Sequence, residues 1–261
     1  MVNSVGKASV FLLASAVLLI LSKFYLPLLS LIALSPFFVV LNSSLEGQIK
    51  PPHWIVLSSV FFILIFFAWS ITLPPGLYDV LRMVFYGFTL TLAVSLFFVT
   101  NKFSKNRLGI FTILLFWLGY DYLVLELYPQ CSIFFLANIF NDMPLVGWSR
   151  YTGFMGITAW ILLANLLFYY VFFKDNAIFI GKIRWISLVY TLILIFTPIM
   201  INAFFSESHS PITWQEMTDL YVRSVIPNDT LYAERGEWVG RTAAWVSVLI
   251  LTYSLVKQKV K

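Results

Sequence analysis

The sequence predicts an all-α integral membrane protein with about eight transmembrane helices and one short amphipathic helix outside the membrane. Two observations predict it. Sixty per cent of the residues are hydrophobic and only 11% are charged, where a soluble domain carries about 25% charged residues. Apolar stretches near the ~17–25 residues that a helix needs to cross a ~30 Å hydrocarbon core also recur, at about 8–22, 25–42, 54–73, 79–100, 107–127, 152–173, 183–203 and 238–256. They divide the chain into a bundle over 1–203, an extracytoplasmic segment over 204–237, and a last helix with its tail over 238–261.

The first two stretches are short and separated only by Ser22-Lys23-Phe24. They form either a tight helical hairpin or one broken element. Lys7 and Ala14-Ser15-Ala16 also fit a signal peptide over 1–16, but hydrophobicity continues well past the small residues. Pro51-Pro52-His53 reads as the start of the third helix, and Arg82 stands near the outer end of the fourth. Gly153 and Gly156 in the sixth are small residues of the kind that allow close helix packing. In the 204–237 segment, Thr213-Trp-Gln-Glu216 fits a capping box, and Trp214, Met217, Tyr221 and Val225 share one face of the helix that would follow. Such a helix lies at headgroup level or packs on the end of the bundle.

Basic residues set the orientation, because cytoplasmic loops carry the excess of Lys and Arg. With the N-terminus inside, the inner side holds Lys7, Lys50, Lys102, Lys105, Arg107, Lys174, Lys182, Arg184, Lys257, Lys259 and Lys261. The outer side holds Lys23, Arg82, Arg150, Arg223, Arg235 and Arg241. Eleven of the 17 basic residues are then inside, and both termini are cytoplasmic. The net charge of +5, placed this way, marks membrane orientation rather than a nucleic-acid partner.

Asp121, in Phe116-Trp-Leu-Gly-Tyr-Asp-Tyr122, is the sharpest intramembrane signal. It lies 14 residues past Arg107, roughly 21 Å across the bilayer at 1.5 Å per residue. A carboxylate at the bilayer centre costs roughly 2.5–3.5 kcal/mol on insertion scales and somewhat less at this depth, so it should face the bundle interior or a polar cavity. Trp117 shares its face one turn earlier, and Arg82 is a candidate partner. Glu126, five residues on, is turned about 140° away and reads as a boundary residue. Arg150, Arg235 and Arg241 are outer cations whose guanidinium forks suit phosphate or carboxylate, or simply anchor at headgroups. The single Cys131 excludes an internal disulfide and a cysteine-rich metal site, and no His lies near it to make it a nucleophile. His209 reads as an exposed loop residue. With only His53 and His209, no metal site and no cofactor are predicted.

Several segments carry a family resemblance. Ile32-Ala-Leu-Ser-Pro-Phe-Phe38, Phe116-Trp-Leu-Gly-Tyr-Asp-Tyr122, then Leu136-Ala-Asn138, Pro144, Tyr151-Thr-Gly-Phe-Met-Gly156 and Trp160-Ile-Leu-Leu-Ala-Asn165, and finally Tyr232 to Arg241 follow one another at the spacing of apolipoprotein N-acyltransferases. These are the bacterial enzymes that add a third fatty acid to lipoproteins. The sequence resembles only the membrane portion of that family. The family's catalytic Glu, Lys and Cys lie in a nitrilase-like domain upstream of the last helix. Such a domain needs roughly 200 residues or more, at the upper end of ordinary domain sizes, and residues 204–237 contain neither Cys nor Lys. Asp121 also stands where the family motif has Glu, and Tyr128-Pro-Gln-Cys-Ser132 where it tends to Trp-Pro-Trp.

The resemblance implies a catalytically incomplete scaffold of the bacterial inner membrane that binds phospholipid or lipoprotein acyl chains at the outer leaflet. Its partners would be membrane lipid and a lipoprotein substrate or a nitrilase-like protein. Trp117, Asp121, Arg150, Tyr151 and Arg235 are the candidate lipid-binding residues, and no catalytic residue carries over. The alternatives are a structural subunit of an unrelated membrane complex, or a transporter or enzyme with a new site around Asp121.

Overall fold

The computed structural model describes residues 2–70, 76–104, 110–140, 148, 152–174, 184–205 and 238–259, and every regular element among them is helical. The surface helix expected from Thr213, together with Arg150, Tyr151, His209 and Arg235, lies outside the described residues.

Helix α1 (Val2–Phe24) turns through a 3₁₀ segment at Pro27–Leu29 into α2 (Ser30–Ala33) and α3 (Ser35–Leu45). The two arms pack on each other, so the hairpin reading holds and the broken-element reading describes its second arm alone. Prolines open the 3₁₀ turn and α3, each in the first turn of its element, where a missing N–H costs nothing. Lys23, at the hairpin tip, donates to the Asn138 carbonyl at 2.9 Å.

The break between α2 and α3 is sealed from a distance. Asn165, fully buried, accepts from the Leu34 N–H through Oδ1 at 2.6 Å. Its Nδ2 donates to the Ser30 and Ile161 carbonyls at 2.6 and 2.8 Å, and its own carbonyl accepts from Ser35 Oγ at 3.0 Å. Backbone groups freed inside an apolar bundle must find partners, and one amide side chain serves both sides of this break.

Helix α4 (Pro51–Trp69) starts at the predicted prolines and packs along α5 (Leu77–Ser104). Gly87 permits the approach, since a Cβ there would stand 3.1 Å from the Ile63 backbone nitrogen. Helix α6 (Thr112–Leu127) runs into two 3₁₀ turns, Pro129–Phe134 and Leu136–Phe140. Helix α7 (Phe154–Phe168) continues as a π-helical turn over Tyr169–Phe173, and α8 (Trp185–Phe205) and α9 (Trp238–Lys259) complete the bundle.

Gly153 and Gly156 differ in role from the packing residues expected. Gly153 adopts φ 74° at the start of α7, a left-handed conformation that side chains disfavour. The nearest atoms to a Cβ added at Gly156 belong to the Thr152 side chain of the preceding turn.

Pro198 lies inside α8 and cannot supply the N–H that would bond to the Leu194 carbonyl. The Trp160 indole of α7 donates to that carbonyl instead, at 3.2 Å.

Among the described residues, five stretches are long and apolar enough to cross a membrane: Val5–Phe24, Pro27–Leu45, Pro51–Trp69, Leu77–Phe98 and Phe154–Phe173. This is fewer than the eight expected. Helix α6, with 16 residues, is about 24 Å long, short of the ~30 Å core. The apolar part of α8, Trp185–Ile201, is also short, and α9 is long enough but less apolar. The packing nevertheless has the polarity of a membrane protein. Leu13, Val56, Leu64 and Ile186 point outward while Ser15, Ser58, Thr91, Asp121 and Asn165 are buried.

Candidate functional site

Asp121 is fully buried in the bundle interior, as its cost in hydrocarbon requires. Its partner is Tyr86 of α5, whose hydroxyl donates to Oδ1 at 2.7 Å. Trp117, one turn earlier on α6, is the other polar side chain beside this carboxyl group. Oδ2 is buried with no hydrogen-bond partner.

Aromatic rings fix both neighbours. Tyr86 lies 5.0 Å from Phe66, 5.6 Å from Phe134 and 5.5 Å from Tyr120, centroid to centroid. Trp117 stands edge-on to Phe62 at 5.3 Å and to Phe37 at 6.4 Å. Such edge-to-face and offset pairs each contribute about 0.5–1.5 kcal/mol beyond area burial, and here they set where the two side chains sit.

Arg82 is not the partner of Asp121. It pairs with Asp79 at 3.5 Å and lies over the Tyr78 ring at 4.5 Å, half-exposed at the start of α5. An Arg82–Asp121 pair would take two charges out of water. The long Arg82 side chain reaches the polar end of its helix instead, and the neutral phenol one turn further on donates to the carboxyl.

Tyr120 connects this interior to the outside of the bundle. Its hydroxyl shares a hydrogen bond with Thr89 Oγ1, and its ring lies tilted against Tyr86. Its other side lines a cavity of about 500 Å³ between α5, α6 and α9. Ala93, Gly119 and Ala244 leave the room, Leu96, Phe116, Leu123, Trp245, Val248 and Leu251 wall it, and Arg241 is the one charged lining residue among those described. Gly119 lets α6 and α9 meet, since a Cβ there would lie 3.0 Å from Ala244 Cα.

Cys131 is buried in the first 3₁₀ turn after α6, its N–H donating to the Tyr128 carbonyl at 2.9 Å. Burial pushes its thiol up from the ordinary range, and the Arg82 charge opposes that only in part. A nucleophilic cysteine needs the opposite shift. Glu126 is exposed near the end of α6, as its angular separation from Asp121 predicted. Among the described residues no three His, Cys, Asp or Glu side chains gather as metal ligands.

Of the five candidate residues, Trp117 and Asp121 thus meet at one centre; Arg150, Tyr151 and Arg235 lie outside the described residues. Tyr86, Tyr120 and Thr89 belong to that centre and the sequence did not single them out. A phenol and a hydroxyl in an apolar run give no signal until the facing helix is known. Compared with protein-family models, with curated proteins and with solved structures, the chain matches none.

Proposed function

We propose that this chain is a multi-pass membrane scaffold of the apolipoprotein N-acyltransferase type. It holds phospholipid or lipoprotein acyl chains at the outer leaflet of a bacterial inner membrane and does not itself form an acyl-enzyme. In this reading the short helices around 107–127 and 183–203 and the last helix complete eight spans, with both termini cytoplasmic.

One observation carries the reading: the described parts of the segments that resemble the family meet in a single core. Leu34 and Ser35 of the first are bonded to Asn165 of the Trp160–Asn165 segment. Phe37 of the first touches Trp117 of the second. Gly240 of the last lies against Tyr122 of the second, where a Cβ would stand 3.0 Å from Tyr122 Cβ. Segments scattered over the chain that share a core are constrained together, as a scaffold's would be. The chemistry is assigned elsewhere because residues 204–237 contain no Cys or Lys and Cys131 is buried with its thiol protonated more firmly than usual.

The test is reconstitution of the purified chain with phospholipid and a diacylated lipopeptide. The expected result is no N-acylation by the chain alone, and turnover when a nitrilase-like polypeptide recovered by pull-down is added. Robust turnover by the chain alone would overturn the assignment of the chemistry to a partner. Co-purification with unrelated subunits and no retained lipid would replace this reading with that of a structural subunit.

A further inference from the structure

The cavity between α5, α6 and α9 has a polarity gradient that selects its occupant. Arg241, in the first turn of α9, stands at one end, and Leu251 is ten residues further along the same helix. At 1.5 Å per residue the groove therefore runs about 15 Å beneath one cation. Between these ends its lining is apolar except for the rings of Tyr120 and Tyr122 and Ser247. The Ser247 hydroxyl is already used, donating to the Ala243 carbonyl at 2.7 Å. Arg241 is exposed and makes no ion pair with a carboxylate among the described residues.

An apolar wall that ends at one cation suits an amphiphile with a single anionic group. A single hydrocarbon chain fills a slot of that shape, and the guanidinium at its end binds a phosphate through paired N–H donors. A headgroup with no cation of its own leaves that phosphate wholly to Arg241.

We propose that this groove binds one acyl chain of an anionic phospholipid, with the headgroup phosphate on Arg241 and the chain lying along α9 toward Leu251. This deepens the acyl-holding reading above and rests on it.

The experiment uses the full chain, purified in detergent, incubated with phosphatidylglycerol and phosphatidylcholine in equal amounts, delipidated and examined by native mass spectrometry. The wild-type protein is expected to retain one phosphatidylglycerol in preference to phosphatidylcholine by about tenfold or more, the size of a charge-assisted hydrogen-bonded pair. Arg241→Ala, at an exposed position, should remove most of that preference while some lipid is still retained, and Arg241→Lys should keep part of it. Ala93→Trp or Leu96→Trp, whichever unfolds at the wild-type temperature, should block retention of either lipid. An unchanged preference in Arg241→Ala, retention unaffected by a filled groove, or a polypeptide rather than lipid captured by a photoreactive residue at position 245 would overturn the proposal. Retention without headgroup preference sinks the anionic assignment and leaves acyl holding intact. No retained lipid in the wild type sinks both.

Discussion

Asp121 has one hydrogen bond where a carboxyl group has room for several. Tyr86 serves Oδ1, and Oδ2 is sealed from solvent without a partner. Tyr86→Phe would leave neither oxygen bonded, so it should cost about 1–3 kcal/mol, the desolvation penalty of a buried polar group left unpaired. Replacing both partners by apolar groups is much less costly. The double variant Tyr86→Phe/Asp121→Leu should therefore recover most of the loss in thermal unfolding in detergent. A Tyr86→Phe protein as stable as the wild type would show that the phenol does not hold this carboxyl. Cys131 gives a second residue-scale expectation. Burial raises its thiol above the ordinary range, so at any given pH less thiolate is present than on a free cysteine. Maleimide labelling at neutral pH should be slower than for a peptide thiol, climb as pH passes the usual thiol range, and accelerate at fixed pH once the protein is unfolded.

At the scale of elements, two helices carry a proline or a break, and each defect is repaired by a side chain from α7. Asn165 seals the break between α2 and α3, and Trp160 takes the carbonyl that Pro198 leaves open in α8. Helix α7 thereby ties the amino-terminal hairpin to α8 through hydrogen bonds, where apolar side chains alone would slide. The repair by Trp160 makes a coupled prediction. Trp160→Phe should destabilise by about 1–2 kcal/mol, since it strands a part-buried carbonyl. In a Pro198→Ala background, where the backbone N–H returns to bond Leu194, the same change should cost less, and a double-mutant cycle reads the difference as coupling. Equal costs in both backgrounds would mean that the indole does not cap that carbonyl.

For the whole molecule, the last helix matters more than its position at the end of the chain implies. Helix α9 packs into the seam between α5 and α6, with Gly240 against both Tyr122 and Met155, whose Cβ and Cγ would each lie 3.0 Å from an added Cβ. Gly240→Leu should therefore part α9 from α6 and α7 and destabilise the bundle by about 1–3 kcal/mol, in line with overpacked cores. The measurement is the unfolding midpoint in detergent, and Gly6→Leu is its control, because nothing stands within 4 Å of a Cβ there.

By itself the sequence determined the helical class, the hairpin as one of two readings, the prolines that open α4, and the burial of Asp121 with Trp117 beside it. These follow from hydrophobic length, from proline's missing donor and from the cost of a carboxylate in hydrocarbon, all of which act locally along one helix. The tertiary structure decided which side chain answers Asp121, and it chose Tyr86 over Arg82 because a phenol donates without a second buried charge. It decided the roles of Gly153, Asn165 and Trp160, each fixed by a backbone group of another helix or by a local left-handed turn. It also made the groove, whose walls come from three helices and whose floor exists only because Gly119 meets Ala244. The sequence cannot show such features, because a one-helix pattern says which face turns inward and not which residue of another helix waits there.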